Sequence, residues 1–274
     1  MKCFADLHMH STGSDGQYRP AKLVAIAKEK GLNVIAITDH DSISGLKEAQ
    51  AESEKLGITV IPGIEMSAIE YPTFHILGYG FDITDPNLNL VFNDLEAGRQ
   101  ERKRRIMAYL REKGVDFPIS EVDEMAGEGT VGRPHFARVM LKRGICQKWE
   151  EVFDTYLDTE EFHEKVDFEK PSVRDCIKWI KDAGGIVSLA HPYQIGISNE
   201  ELDELVGELK KQGLEAIECW HSGHTPEMTA FYLSLAEKYS LYVTGGSDFH
   251  GEALKPQIKI ARLELDLDWL LHRN

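Results

Sequence analysis

Apolar runs and helix-period patterns alternate along most of this chain. Cys3 to His10 reads as a strand, and the helix predicted over Pro20 to Lys30 puts Leu23, Ile26 and Ala27 on one face. The β-branched run Val34 to Thr38 is a second strand, ending at Asp39-His40-Asp41, and a helix follows from Ser44 to Leu56. Thr59 to Ile64 is a third strand. Phe74 to Tyr79 is a fourth, entered after Pro72 and left through Gly78 and Gly80. From about Glu96 to Val166 the rhythm stops: a basic helix (RQERKRRIMAYLREKG), an acidic stretch and two further helical patterns follow with no strand, which reads as a helical insertion. It then resumes with a helix at Ser172 to Ala183, a strand at Ile186 to Ala190, a helix at Asn199 to Lys211, a strand at Ala216 to Trp220, a helix at Pro226 to Tyr239 and a strand at Leu241 to Gly245. Repeated βα units predict a parallel sheet, and seven strands suffice for a barrel, one fewer than a regular TIM barrel has. The tail from Ile258 alternates apolar and acidic residues and fits a covering strand or a short helix.

Composition narrows the picture. The 274 residues are 42% hydrophobic and carry a net charge of −15, an ordinary globular composition. An acidic balance argues against duplex DNA, whose phosphates need a basic face. The run Arg99, Arg102, Lys103, Arg104 and Arg105 is broken by Glu101 and reads as a solvated helix face. The start reaches Asp6, His8 and His10 too soon for the apolar core of a secretory signal, and no window approaches a membrane span, so the expected location is the cytoplasm, with no membrane partner. Cys3, Cys146, Cys176 and Cys219 form no CxxC pair and read as reduced, buried thiols.

The eleven histidines change the picture most. His8 and His10 lie two apart on a strand and share a face. His40, Glu65, His191, Asp248 and His250 each fall at the carboxyl end of a strand, Asp15 lies in the loop after the first, and His75 lies on the fourth. In a closed parallel barrel those ends form one rim. Six imidazoles and three carboxylates brought together there repel and desolvate one another unless cations bind, which points to a polynuclear metal site. Imidazole with carboxylate suits Mn²⁺, Fe²⁺ or Zn²⁺ better than Ca²⁺ or Mg²⁺.

These residues fall in motifs: HMH, the later Asp15-Gly16, TDHD (Thr38 to Asp41), GIEMS (Gly63 to Ser67), AHP (Ala190 to Pro192) and SDFH (Ser247 to His250). In this order the series resembles the polymerase-and-histidinol-phosphatase (PHP) family. With VGRPHFARVM (Val131 to Met140) in a helical insertion, it resembles the branch acting on AMP and 3′,5′-bisphosphate nucleotides, some members of which trim short RNA. The resemblance implies a distorted (β/α)7 TIM-like barrel over 1–99 and 167–274, a helical insertion over 100–166 capping the substrate, and three metal ions. His8, His10, Glu65 and Asp248 would hold the first ion. Glu65 would bridge to a second on His75 and His191, and Asp15, His40 and His250 would hold the third.

Three dications against three carboxylates make a cationic well for a phosphate monoester, with a hydroxide between the first two ions expected to attack phosphorus in line. Asp39 is a candidate catalytic residue, as an orienting group for His40 or for another ligand. Arg133, a planar fork for phosphate, and His135 lie in the segment resembling the branch's substrate-contacting stretch; the alternative is a helix start, with Pro134 in its first turn. Lys165 sits where the branch has a basic contact. His221 and His224 follow the sixth strand and reach the rim, as substrate contacts or, for His224, as proton donor to the leaving group. The expected activity is phosphoesterase action on a small nucleotide or short 5′-phosphorylated RNA. The alternatives are histidinol-phosphate phosphatase and a non-catalytic metal-stabilised module.

Overall fold

A computed structural model describes residues 2–126, 131–166 and 170–272. Two compact units emerge, Met1–Phe92 with Lys170–Asn274, and Asn93–Glu169. The first boundary lies at 92 rather than the expected 99, because the helix α3 (Pro86–Glu112) runs unbroken through it and its pattern carries no mark there. The expected boundary at residue 167 falls outside the described residues.

The first unit is a nearly closed barrel of eight strands: β1 (Lys2–Asp6), β2 (Val34–Ile37), β3 (Thr59–Ser67), β4 (His75–Tyr79), β5 (Ile186–Leu189), β6 (Ala216–His221), β7 (Tyr242–Gly246) and β8 (Leu263–Asp266), ordered 7-6-5-4-3-2-1-8. Two features depart from a wholly parallel seven-strand sheet. β4 runs antiparallel to both β3 and β5. Alternation marks a strand but not its direction, so nothing in FHILGY announced this. β8 adds an eighth strand, antiparallel to β1, and the short helix α11 (Asp268–Leu271) follows it, so the tail holds both a strand and a helix. At the rim the ring closes directly: Leu7 N–H donates to Gly245 O at 3.1 Å and Asp248 N–H to His8 O at 2.9 Å.

Burial explains why these segments are strands. β2 and β5 are buried along their whole length, as strands sandwiched between a barrel core and outer helices must be. Cys3, Ala5, Val34, Ala36, Leu77 and Tyr79 pack with Leu265 and Leu270 in one core cluster, and Tyr79 OH donates to Leu7 O at 2.9 Å within it. The helices are punctuated by their sequence. Pro20 opens α1 (Pro20–Glu29); left-handed Gly57 ends α2 (Leu46–Leu56); Ser172 caps α8 (Val173–Asp182); Ser198 and Glu201 form a capping box on α9 (Asn199–Gln212); Thr225 caps α10 (Pro226–Lys238). All four cysteines are free and buried. Among the described residues no helix is long and apolar enough to cross a membrane.

The second unit is helical among its described residues, with α4 (Ile119–Ala126), α5 (Arg133–Lys142), α6 (Trp149–Val152) and α7 (Glu160–Val166) joining the later turns of α3. Its own core gathers Leu110, Phe117, Phe136, Met140 and Phe162. In the basic run, Arg104 and Arg105 pair with Glu101 and Lys103 with Asp123, as a solvated face would.

Candidate metal centre

The strand reversal resolves the one residue out of place in the sequence. Because β4 is antiparallel, its first residue, His75, reaches the same rim as the carboxyl ends of the other strands. Glu65 sits inside β3, with Ser67 opposite His75 and with His40 bridged beside it. The strain gathers here too. Asp41, His191 and Asp248 have positive φ, and no Cβ fits at Gly246, where it would fall 2.3 Å from His8 Cβ.

The nine expected ligands come together. Glu65 is central: its Oε2 lies 3.3 Å from His8 Nε2, 3.2 Å from His10 Nε2 and 3.1 Å from His40 Nδ1, while its Oε1 lies 2.8 Å from His75 Nδ1 and 2.7 Å from His191 Nε2. Asp248 Oδ1 is 3.2 Å from His10 Nε2, and Asp15 Oδ1 is 3.3 Å from His250 Nε2. Donors bonded to one transition metal at about 2.1 Å stand about 3.0–3.4 Å apart, the spacing seen around Glu65 Oε2, Asp248 and Asp15, while the two contacts of Glu65 Oε1 are at hydrogen-bond length. Two groups of four can share an ion, His8-His10-Glu65-Asp248 and His10-Asp15-His40-His250, and His40, Glu65 and His75 form a third group.

The hydrogen bonding fits the same use. His8 Nε2, His10 Nε2, His40 Nδ1 and Glu65 Oε2 are buried with no hydrogen-bond partner among the described residues, an arrangement that is costly unless a ligand satisfies it. The tautomers comply: His8 Nδ1 meets Glu218 at 3.0 Å and His250 Nδ1–H donates to Asp248 O at 2.8 Å, so each turns an Nε2 lone pair to the cluster. Burial opposes every charge, but His40, His75 and His8 still hold Glu65 well below the usual carboxylate range, and His250 and Lys255 do the same for Asp248. Burial likewise works against protonated His10, yet Asp248 and Glu65 win and lift it to about 9. The site therefore attracts positive charge.

The other expected residues divide. Of the two uses expected of Asp39, the structure shows contacts toward the other ligands rather than His40: its carboxylate accepts from Ser11 N–H (2.7 Å), Ser11 Oγ–H and Ser14 Oγ–H (2.6 Å), fastening the loop between His10 and Asp15. His221 Nδ1 accepts from Gly223 N–H at 3.0 Å, which leaves Nε2 the proton-bearing nitrogen, buried and 4.0 Å from Asp248 Oδ2. Burial pushes this ring down to about 4. His224 Nδ1–H donates to Cys219 O at 3.0 Å, so its Nε2 is the acceptor.

Arg133, His135 and Lys165 belong to the second unit. Arg133 pairs with Asp158 and donates to Leu157 O at 3.2 Å; Lys165 pairs with Glu112 and Glu161. His135 is buried and its Nδ1 accepts from Gly132 N–H at 2.9 Å, the work of a helix-start residue. Two residues at the rim, Lys255 and Glu218, carry no sequence expectation, and a third, Asp6, neighbours the ligands in sequence with either a supporting role or a helix or loop contact open to it. Lys255 Nζ lies 3.0 Å from Asp248 Oδ2. Asp6 accepts from Ser247 and Ala261. Glu218, fully buried in β6, accepts from His191 N–H at 2.8 Å as well as meeting His8. Its one signal was an acid inside the apolar run Ala216 to Trp220.

A TIM-like barrel whose rim gathers such donors defines a metal-dependent hydrolase. The chain belongs to the PHP family: residues 6–181 match the PHP domain. It is 32% identical over 246 residues to a 5′-3′ exoribonuclease of Haemophilus influenzae, covering 89% of each chain. It is 31% identical over 250 residues to a 3′,5′-nucleoside bisphosphate phosphatase of Chromobacterium violaceum, covering 89% of this chain and 86% of that one. A solved structure of an amidohydrolase from Chromobacterium violaceum with bound sulfate and no metal superposes with a TM-score of 0.82 at 28% identity, over 96% of this chain and 91% of that one. The protein is thus a metal-dependent phosphoesterase, a hydrolase of phosphoester bonds.

Proposed function

We propose that the rim holds three divalent transition-metal ions and that the chain removes phosphate from a small nucleotide, AMP or a 3′,5′-bisphosphate, with short 5′-phosphorylated RNA as a further substrate. The observation that carries this reading is the set of buried, unpartnered donors converging on Glu65. His8, His10, Glu65 and Asp248 would hold the first ion, Glu65, His75 and His191 the second, and Asp15, His40 and His250 the third. Bound there, the ions supply activated water and neutralise phosphate charge.

The chain's own residues do the rest. Lys255 keeps a fixed ammonium beside Asp248, which favours a dianionic substrate at the rim. Asp39 holds the loop of His10 and Asp15 in register through Ser11 and Ser14. His221 offers a buried N–H at its Nε2. With its Nδ1 proton fixed on Cys219 O, His224 can gain and pass a proton only at Nε2, and it is assigned the proton delivered to the leaving oxygen. Arg133 is assigned to substrate phosphate for its planar fork, within an insertion that would serve as cap; both assignments rest on the resemblance of the segment Val131 to Met140 to the family's nucleotide branch.

A substrate panel tests the reading. Protein stripped with chelator and reloaded with Mn²⁺ is given 5′-AMP, 3′,5′-bisphosphoadenosine, histidinol phosphate and a short 5′-phosphorylated RNA. The expected result is metal-dependent phosphate release from the nucleotides. Release from histidinol phosphate alone would overturn the substrate class, and no release from any ester would overturn the reading.

A further inference from the structure

Glu65 is not the only carboxylate between His8 and His191. Glu65 meets the Nε2 atoms of both rings, through Oε2 and Oε1 respectively. From the other side Glu218 meets the same two residues: Oε1 lies 3.0 Å from His8 Nδ1, and Oε2 accepts the backbone N–H of His191 at 2.8 Å. The four residues close a frame whose rings stack with centroids 5.6 Å apart. His191 needs this restraint, because its φ of +20° is a conformation few side chains adopt. Both partners of Glu218 are donors. Oε2 also lies 3.3 Å from His8 Nδ1, so one oxygen can reach both donors; an amide in its place would keep at best that longer contact, lose the 3.0 Å bond to Oε1 and the charge that strengthens it, and turn its NH₂ group toward the ring.

We propose that Glu218 is a positioning residue that fixes the separation of the two ions sharing Glu65. It does so by holding His8 as the Nδ1–H tautomer and by pinning the strained backbone of His191. This rests on the ligand assignment above, and not on which ester is cleaved. Glu218 also groups with His8 and His221 in a set able to hold a cation of its own. That use would require the His8 ring to bind metal through both nitrogens, whereas Nδ1 is already engaged with Glu218 and Nε2 faces Glu65.

The test is Mn²⁺ titration of the chelator-stripped full chain, wild type and Glu218→Gln, followed by electron paramagnetic resonance. Folding of each variant is checked by circular dichroism. Glu218→Gln is expected to weaken uptake of the spin-coupled pair by about 10–100-fold and to change its coupling, while the ion on Asp15, His40 and His250 binds as before. Unchanged affinity and coupling would overturn the proposal. So would loss of one ion from the count with the coupled pair intact, which would make Glu218 a ligand. If the variant does not fold, imidazole ¹⁵N spectra of Zn²⁺-loaded wild type decide: His8 must carry its proton on Nδ1, and a proton on Nε2 overturns the proposal. Wild type that takes up no ion would overturn the metal assignment and this inference together, whereas an inactive substrate panel with normal uptake leaves this inference standing.

Discussion

Removing the carboxylate of Asp6 should loosen the ring at its seam. Asp6 ends β1, and its fully buried side chain accepts four hydrogen bonds: Oδ1 from His8 N–H (3.2 Å) and Ser247 N–H (2.9 Å), Oδ2 from Ser247 Oγ–H (2.6 Å) and Ala261 N–H (2.8 Å). It therefore ties β1 to the end of β7 and to the segment entering β8. In Asp6→Asn one oxygen must serve where two did. The Ser247 hydroxyl can rotate to accept from the amide, but one backbone N–H is left facing NH₂, a cost of about 1–3 kcal/mol. Asp6→Ala leaves three backbone donors without an acceptor, and the cost rises to roughly 3–9 kcal/mol, a large share of the ~5–15 kcal/mol that holds an ordinary domain together. The assay is urea unfolding of chelator-treated protein by circular dichroism, comparing midpoints at equal slope. The expected order of stability is wild type, Asn, Ala. Because Ser247 precedes Asp248, Mn²⁺ affinity should fall in the same order. An alanine variant within about 0.5 kcal/mol of wild type would refute the latch, as would an asparagine variant no better than alanine.

Three further outcomes follow from the site. Metal affinity should rise with pH. His10 is lifted to about 9 against an ordinary 6.5, so an entering ion displaces its proton throughout that window, and affinity gains about tenfold per pH unit for each proton displaced. Without metal the sign reverses: the stability that His10 gains from Glu65 and Asp248 is full below about 6.5 and is lost as pH rises to 9. Isothermal titration with Mn²⁺ at pH 6.5 and 8.5 checks the first, and equal affinities would contradict it. Gly246→Ala drives a methyl group into His8 and should cost about 1–3 kcal/mol or more together with metal uptake, read by thermal melting and metal analysis. Arg133→Ala should raise KM for a nucleotide about tenfold while costing at most ~1 kcal/mol of stability, since its partner Asp158 is exposed; an unchanged KM removes Arg133 from the substrate's contacts.

The sequence exposed the ligands better than their supports. His8, His10, His40 and His191 stand at the ends of apolar runs, where periodicity makes them visible. Glu218 and Asp6 act across gaps of 210 and 241 residues, on His8 and Ser247, and one sequence has no signal for such pairings. Chain proximity offers Asp39 to His40 first, whereas the fold returns an earlier loop to it, so that it serves the loop of His10 and Asp15. The direction of β4 and the pairing of β8 were hidden for a related reason: side-chain alternation is the same whichever way a strand runs.

The reversal of β4 also bears on how the cluster assembles. Glu65 and His75 are brought together by a short connection between neighbouring strands, a closure of the microsecond class. His8 and Asp248 meet only when opposite ends of the polypeptide come into register. Two of the nine expected ligands, the shared carboxylate among them, can thus meet before the cylinder exists. An ion held there would give the late-arriving termini a template to close upon.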